Sequence, residues 1–212
     1  MRFFVKRAID LLLSATVLIA ASPLMAAIAV TIRLRMGHPI LFRQMRPGYK
    51  GKPFELLKFR TMNKASGAHG RVLQGEQDAE RLTAIGRVLR RYSLDELPQL
   101  WNVMRGDMSL VGPRPLLMQY MDRYTPEQIR RHEAKPGLAG WAQVNGRNAL
   151  SWAEKFELDL WYVKNWTLKL DLQIIVRTIG QVIGRRNVSH RDHATMPEFR
   201  GSQAEAIEGQ EQ

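Results

Sequence analysis

The sequence predicts an α+β protein that is mostly helical, with an apolar N-terminal membrane helix ahead of one compact domain. An uncharged run spans residues 11–32, most later segments have helical spacing of apolar residues, and two β-rich stretches flank one Pro-Gly turn. The 212 residues are 45% hydrophobic, which suffices for one core and an appendage. We place the membrane element at 1–36, the domain at 37–188 and a polar, flexible tail at 189–212.

The run from Leu11 to Ile32 is close to the roughly 20 residues that cross a bilayer as a helix. A cleaved signal peptide is disfavoured because the apolar run continues past any plausible cleavage site. Basic residues at both ends give the positive-inside rule nothing to orient. Pro23 cannot donate to the Ile19 carbonyl, although the Ser22 hydroxyl can partly satisfy it. A helix broken there would keep both ends on one side, and a simple span stays an equal alternative.

The elements of the domain follow in order. Two β-rich stretches, Ile40–Gln44 and Phe54–Met62, flank the turn Pro47–Gly51 and predict a hairpin. Residues 63–80 are rich in Gly, Gln and charge, which indicates a loop, and residues 136–147 form a second, glycine-punctuated loop. Helices are predicted at 82–92, at 96–105, from Thr125-Pro126, from Ser151 with Glu154 as its capping-box partner, and from Asp171.

The last two predicted helices are amphipathic. Five aliphatic residues form a stripe, for which burial in a core is the favoured interpretation and a membrane interface the alternative. Four aromatic residues of the preceding helix fit a core and an interface equally well, namely Trp152, Trp161, Tyr162 and Trp166. The stripe consists of Leu172, Ile175, Ile179, Val182 and Ile183.

The formal charge of +12 indicates an anionic partner: nucleic acid, an acidic membrane surface or a phosphorylated substrate. Nucleic acid is not expected, because the sequence contains no recognition module and no zinc-ligand spacing. The absence of cysteine excludes a disulfide framework and is consistent with a reducing compartment.

Two adjacent carboxylates, Asp95 and Glu96, stand where a helix is predicted to begin. Helix capping is the ordinary explanation, and Ser93 with Glu96 matches a capping box. Pro98 opposes that register, because it would lie beyond the first turn. With Asp95 as the N-cap, Pro98 falls within the first turn, and Asp95 lies at the positive end of the helix dipole. Its pKa would then be low, and the ionised carboxylate is suited to nucleophilic attack or Mg²⁺ binding.

Three cationic segments are candidate phosphate ligands. Lys58 and Arg60 occupy alternate positions of a predicted strand and would share one face, although a solvated strand face explains such alternation equally simply. In Val111-Gly112-Pro113-Arg114-Pro115, a proline on each side fixes the backbone, so the Arg114 guanidinium loses little entropy on binding. Arg147 follows a flexible glycine and is a weaker candidate.

Together these motifs resemble the bacterial sugar transferase family, specifically its small monotopic phosphoglycosyl transferases. The tail at 193–201 is most similar to the subgroup that primes bacillosamine-containing glycans. The motifs are Ser22-Pro23, K-F-R-T-M at 58–62, S-L-D-E-L-P-Q-L-W-N-V at 93–103, S-L-V-G-P-R-P at 109–115, P-G-L-A-G-W-A-Q-V-N-G-R-N at 136–148 and F-E-L-D-L-W-Y-V-K-N-W at 156–166.

The resemblance implies transfer of a phosphosugar from a UDP-sugar, with an N-acetylated amino sugar favoured, to undecaprenyl phosphate. UMP would leave as Asp95 forms a covalent intermediate, with Mg²⁺ as cofactor held partly by Asp95. Glu96 would act as general acid, base or metal helper. The implied substrate-binding and phosphate-binding residues are Lys58, Arg60, Pro113, Arg114 and Arg147.

The resemblance also implies a location and partners. The N-terminus would be a re-entrant helix-break-helix with its break at Ser22-Pro23, and the catalytic domain would rest on the cytoplasmic face of the bacterial inner membrane. A second copy of the chain and downstream glycosyltransferases are further candidate partners. The alternatives are a membrane-tethered nucleic-acid-binding protein and a non-catalytic scaffold.

Overall fold

The computed structural model describes residues 2–63, 81–146, 149–184 and 198–201. It is mostly helical, as the sequence predicted, and it contains two small sheets, of which the sequence predicted one. The α-helices are α1 (Arg2–Met36), α2 (Ala84–Arg91), α3 (Gln99–Arg105), α4 (Trp141–Val144), α5 (Trp152–Asn165) and α6 (Leu168–Gly184). The strands are β1 (Leu41–Pro47), β2 (Pro53–Phe59), β3 (Ser109–Val111) and β4 (Gly137–Ala139), and short 3₁₀ segments connect several elements.

Helix α1 is apolar and long enough to cross a membrane by length and composition, and most of its middle is exposed. The expected break is absent, because the backbone stays helical through Pro23. The Ser22 hydroxyl donates to the Ile19 carbonyl at 2.8 Å, as expected, and so replaces the donor that Pro23 lacks. Ser22 and Pro23 therefore change the hydrogen bonding of the backbone locally and do not interrupt the helix.

Both ends of α1 contact the same domain. Near its start, Arg7 donates to the Val103 carbonyl at 2.6 Å, and the Asp10 carboxylate accepts the Leu110 N–H at 3.1 Å. Near its end, Ile32 is fully buried in a cluster that includes Phe59 and Leu89. The domain thus holds α1 at two points separated by an exposed apolar stretch.

The hairpin is confirmed: β1 and β2 pair antiparallel from Leu41 opposite Phe59 to Pro47 opposite Pro53. Its second strand ends at Phe59, earlier than predicted. A second, parallel pair joins β3 to β4, with Ser109 opposite Gly137 and Val111 opposite Ala139. The sequence did not reveal it, because three residues are too few to show a period of two.

Two predicted helices are present. Ser151 with Glu154 forms the predicted capping box of α5, and α2 lies within the predicted range 82–92, capped by Thr83 through a bond from the Gly86 N–H. Other starts differ: α3 begins at Gln99, a 3₁₀ segment at 128–133 replaces the helix expected from Thr125, and part of the predicted loop at 136–147 forms β4 and α4.

Asp171 does not open the last helix. Helix α6 begins at Leu168, and Asp171 is buried one turn later. Its carboxylate accepts bonds from the Lys6 ammonium, the Tyr162 hydroxyl at 2.7 Å and the Trp166 indole at 3.0 Å. This buried carboxylate links α1 to α5 and α6.

Two surface expectations need correction. Phe199, assigned to the polar tail, is fully buried against aromatic side chains of the domain. On α6, Leu172 is 62% exposed and Ile179 is 54% exposed, whereas Leu170 and Ile174 face the core. Leu172 and Ile179 of the predicted stripe are thus not on the buried face of that helix, whereas Ile175 packs against the core.

Candidate active site

The dyad lies in a tight turn ahead of α3 and not at a helix N-cap. Ser93 adopts a left-handed conformation at φ +54°, and Leu94–Glu96 forms one 3₁₀ turn. Pro98 immediately precedes the first residue of α3. Asp95 is 7% exposed, so the turn brings its carboxylate into the protein and away from the helix axis.

Glu96 is held by two cations from different elements. The Lys58 ammonium on β2 contacts Glu96 Oε1 at 2.8 Å. The Arg114 guanidinium contacts the same oxygen at 2.6 Å and Oε2 at 3.5 Å. The structure therefore brings together four predicted site residues, and Glu96 forms ion pairs with two of them. The four are Lys58, Asp95, Glu96 and Arg114.

The two carboxylates of the dyad have opposite electrostatic environments. Burial alone would raise the pKa of Glu96, but Arg114 and Lys58 override it and hold that pKa well below its usual range. Burial raises the pKa of Asp95, Lys58 opposes the rise and the Glu96 charge adds to it. The expectation of a low pKa at Asp95 was therefore wrong, because it assumed a helix N-terminus. Asp95 interacts with its described neighbours through charge and makes no hydrogen bond to them.

Arg114 is positioned by its backbone. Gly112 and Gly137 pack so closely that a Cβ on Gly112 would lie 2.2 Å from the Lys135 carbonyl oxygen, which only glycine avoids. The Gly137 N–H donates to the buried Pro113 carbonyl at 3.0 Å. The Arg131 guanidinium donates to the Arg114 carbonyl at 2.8 Å. Pro113 thus acts through the backbone that presents Arg114.

Arg131 is itself held in place by an ion pair. It is 2% exposed and forms an ion pair with Asp159 of α5, whose carboxylate accepts its Nε–H at 3.1 Å. Sequence reasoning missed this pair, because Arg131 and Asp159 stand 28 residues apart in segments that read as ordinary charged helix faces.

The structure does not bring Arg60 to the dyad. Strand β2 ends at Phe59, so the alternation that would align Arg60 with Lys58 stops there. The Arg60 guanidinium donates to the Met36 carbonyl, the His38 carbonyl at 2.7 Å and the Gly37 carbonyl at 2.9 Å. Arg60 thus closes the C-terminal end of α1, where unpaired carbonyls attract a cation.

Other predicted residues lie elsewhere. Arg147 falls outside the described residues. Ser22 and Pro23 lie in the middle of α1. Sequence reasoning also overlooked Arg90, whose charge acts on Asp95 and whose Nε–H donates to the Thr61 hydroxyl at 3.1 Å. Its position five residues before Asp95 was the available signal.

The described residues contain no group of three or more metal-ligating side chains. Mg²⁺ nevertheless fits the donor set, because this ion is commonly held by one or two carboxylates and completed by substrate phosphates and water. Asp95 is the carboxylate of the dyad that no neighbouring cation binds directly, whereas Glu96 is already paired.

Comparison with known proteins gives consistent matches. The sequence profile described as bacterial sugar transferase matches residues 1–185. The chain is 50% identical over 197 residues to an uncharacterized sugar transferase, EpsL, of Bacillus subtilis (strain 168), covering 93% of this chain and 96% of that relative. It is 41% identical over 190 residues to UDP-glucose:undecaprenyl-phosphate glucose-1-phosphate transferase of Caulobacter vibrioides, covering 86% and 71%. It is also 41% identical over 187 residues to UDP-N-acetylgalactosamine-undecaprenyl-phosphate N-acetylgalactosaminephosphotransferase of Aeromonas hydrophila, covering 85% and 44%.

Proposed function

The chain belongs to the bacterial sugar transferase family, and we propose that it transfers a phosphosugar from a UDP-sugar to undecaprenyl phosphate with release of UMP. The observation that carries the proposal is that the two carboxylates of the dyad have different contacts. Glu96 is bound by Lys58 and Arg114, while Asp95 beside it is buried and makes no hydrogen bond to a described residue. A carboxylate held in this way is available to react.

The reaction proceeds by covalent catalysis in two displacements at one phosphorus. An ionised Asp95 oxygen forms a bond to the sugar-bearing phosphorus as the P–O bond to UMP breaks. A phosphate oxygen of undecaprenyl phosphate then attacks the same phosphorus, and the bond to Asp95 breaks. Lys58 and Arg114 offset the negative charge of the diphosphate, and their bonds to Glu96 keep both cations beside Asp95.

Mg²⁺ would be held by Asp95 and the substrate diphosphate, and it would supply charge neutralisation at the phosphates. Lys58 and Arg114 bind the diphosphate, and Glu96 orients their side chains. The backbone around Pro113 fixes the position of Arg114.

The donor sugar is an N-acetylated amino sugar in this proposal. The similarity of the tail to the bacillosamine subgroup supports it. The names of the relatives cover glucose, galactose and N-acetylgalactosamine, which supports a UDP-sugar donor and leaves the family's sugar range wide. The product serves glycan or exopolysaccharide synthesis, as the name of a Sinorhizobium fredii relative, exopolysaccharide production protein ExoY, suggests for that protein.

The domain rests on the cytoplasmic face of the inner membrane, and the continuous helix α1 binds that face without crossing. The contacts at both ends of α1 support this placement, because a crossing helix would carry one end away from the domain. The phosphate of a lipid acceptor lies at the headgroup plane, so a domain on that plane brings it within reach of Asp95.

The test uses purified full-length protein in detergent or nanodiscs with Mg²⁺ and a panel of UDP-sugars. With a good donor and no lipid acceptor, we expect up to one equivalent of UMP and a protein mass increased by one phosphosugar, mapped to Asp95. Asp95→Asn should show neither. UMP that appears only with undecaprenyl phosphate, with no adduct, would refute the covalent step and keep the transfer. No UMP with any donor and acceptor would refute the transfer itself.

A further inference from the structure

We propose that Arg46, near the end of strand β1, is a further phosphate-binding residue that acts with Arg114 on the same substrate. The inference rests on the proposed function for the identity of the substrate. Neither the sequence motifs nor the ion pairs of the dyad point to Arg46, which sequence analysis treated only as a basic flank of the membrane run.

Arg46 is a half-buried cation without an acidic partner among the described residues. Its guanidinium donates to the Gln44 side-chain oxygen at 2.6 Å. Its Nε atom is buried and contacts no acceptor within the described ranges. The Arg114 charge and the hydroxyl groups of Tyr120 and Tyr124 act on Arg46. Pro47, the next residue of β1, lines one pocket together with Arg114 and Arg131. The guanidinium groups of Arg46 and Arg114 therefore lie near the same pocket, and Arg114 alone of the two is paired with Glu96.

This arrangement is energetically unfavourable without a ligand. Burial, with the Arg114 charge added, lowers the pKa of Arg46 to about 10. Other arginines of the domain have stronger acceptors: Arg131 is bound by Asp159, and exposed Arg43 lies 3.3 Å from Glu55, whereas Arg46 has one neutral amide oxygen. A buried cation that repels its neighbour is explained when an anion joins them during function.

A third cation extends the positive region. Lys155, one turn into α5, lies over the Trp152 ring at 5.1 Å. Burial, together with Arg114, lowers the pKa of Lys155 to about 8. Arg114 is thus paired with Glu96 and is repelled by further positive charge from β1 and α5. Such a group of cations suits a ligand with more than one negative charge, such as a diphosphate or a phosphate monoester.

Two substrates carry this chemistry: the diphosphate of the UDP-sugar and the phosphate of the lipid acceptor. Arginine suits both, because its planar fork binds two phosphate oxygens at once. Loss of such a charge-assisted contact weakens binding roughly tenfold or more.

The experiment compares Arg46→Gln with Arg43→Gln in full-length protein. Both variants remove one positive charge from β1, but Arg43 is exposed and paired with Glu55. Thermal unfolding is followed with and without inorganic pyrophosphate, and steady-state UMP release gives KM for the UDP-sugar and for undecaprenyl phosphate. We expect pyrophosphate to stabilise the wild type and Arg43→Gln but to lose most of its effect on Arg46→Gln. Without ligand, Arg46→Gln should unfold at the wild-type temperature or above it.

The two KM values show which of the two substrates Arg46 binds. A KM increase of roughly tenfold or more for the UDP-sugar alone assigns Arg46 to the donor, and the same increase for undecaprenyl phosphate alone assigns it to the acceptor. If Arg46→Gln lowers the unfolding temperature and leaves pyrophosphate stabilisation and both KM values unchanged, Arg46 is structural and the inference is overturned. If the wild type transfers no phosphosugar, and pyrophosphate stabilises the wild type but not Arg46→Gln, the proposed function is refuted and the anion site is kept.

Discussion

At Asp95 and Glu96, two neighbouring carboxylates differ in what stabilises them. Glu96 is stabilised by Lys58 and Arg114, which hold its pKa down, whereas burial without hydrogen bonds raises the pKa of Asp95. A pair of titratable groups pushed in opposite directions is a common sign of separate roles in catalysis. We propose that Asp95 reacts with the substrate and that Glu96 positions Lys58 and Arg114.

The two residues should therefore respond differently to neutralisation. Asp95→Asn removes a buried charge that makes no hydrogen bond to a described residue, so we expect stability to stay the same or rise while activity is lost. Glu96→Gln leaves Lys58 and Arg114 without their partner, so we expect a loss of about 1–3 kcal/mol, reduced by the partial exposure of Arg114. Thermal unfolding of both variants measures this. Equal destabilisation by the two substitutions would contradict the assignment.

His132 makes stability depend on pH. It is 6% exposed, its Nε2 atom has no partner in the described part of the chain, and burial with the nearby Arg131 charge lowers its pKa to about 4. The unfolded chain takes up this proton near pH 6.5, whereas the folded protein does so only near pH 4. Stability should thus fall as pH drops from 6.5 towards 4, by up to about 1.4 kcal/mol per pH unit.

Denaturant unfolding between pH 4 and pH 7 checks this expectation. His132→Gln, which does not titrate, should flatten the dependence over that interval. An unchanged slope in the variant would assign the effect to other groups.

At the scale of elements, the features that sequence reasoning recovered are those with local causes. The capping box of Ser151 and the hairpin turn each depend on a few adjacent residues. The missed features depend on distant partners: β3 pairs with β4 across 28 positions, and Arg60 meets the end of α1 instead of the dyad. At Asp95 the local rule failed because Ser93 takes a left-handed conformation that no propensity predicts.

Phe199 shows the same limit, and it provides an element-scale test. It lies among Tyr120, Trp152 and Phe156 and is fully buried. Phe199→Ala should destabilise the protein by about 3–5 kcal/mol, because it leaves a cavity in an aromatic cluster. Leu172→Ala is the control, since Leu172 is 62% exposed on α6 and should cost little. Denaturant unfolding in detergent compares them, and equal values would mean that the segment around Phe199 contributes no core.

At the scale of the whole molecule, the membrane helix and the domain form one packed unit. Lys6 and Arg7 near the start of α1 bind the domain through Asp171 and the carbonyls that end α3, while Ile32 near its other end is buried beside the hairpin. The middle of α1 is left exposed and apolar, which is the surface a lipid leaflet covers.

This architecture predicts that both ends of α1 lie on one side of the membrane. The chain contains no cysteine, so single cysteines at Phe3 and Asn63 can be labelled without background. We expect an impermeant thiol reagent to label both sites only after the inner membrane is opened. Labelling of residue 3 in intact spheroplasts, with residue 63 protected, would show a crossing helix. Pro23→Leu restores the missing donor to the Ile19 carbonyl and should shift some molecules towards that crossing.

The bond between Lys6 and Asp171 also sets an order of events during synthesis. These partners stand 165 residues apart, so the first helix to leave the ribosome receives its buried carboxylate only when most of the chain has been made. Before that point α1 already has partners in the hairpin, α2 and α3, whereas Asp171 cannot be buried without the Lys6 charge that compensates it. The start of α1 therefore acquires its acidic partner last, after its other end has found the hairpin.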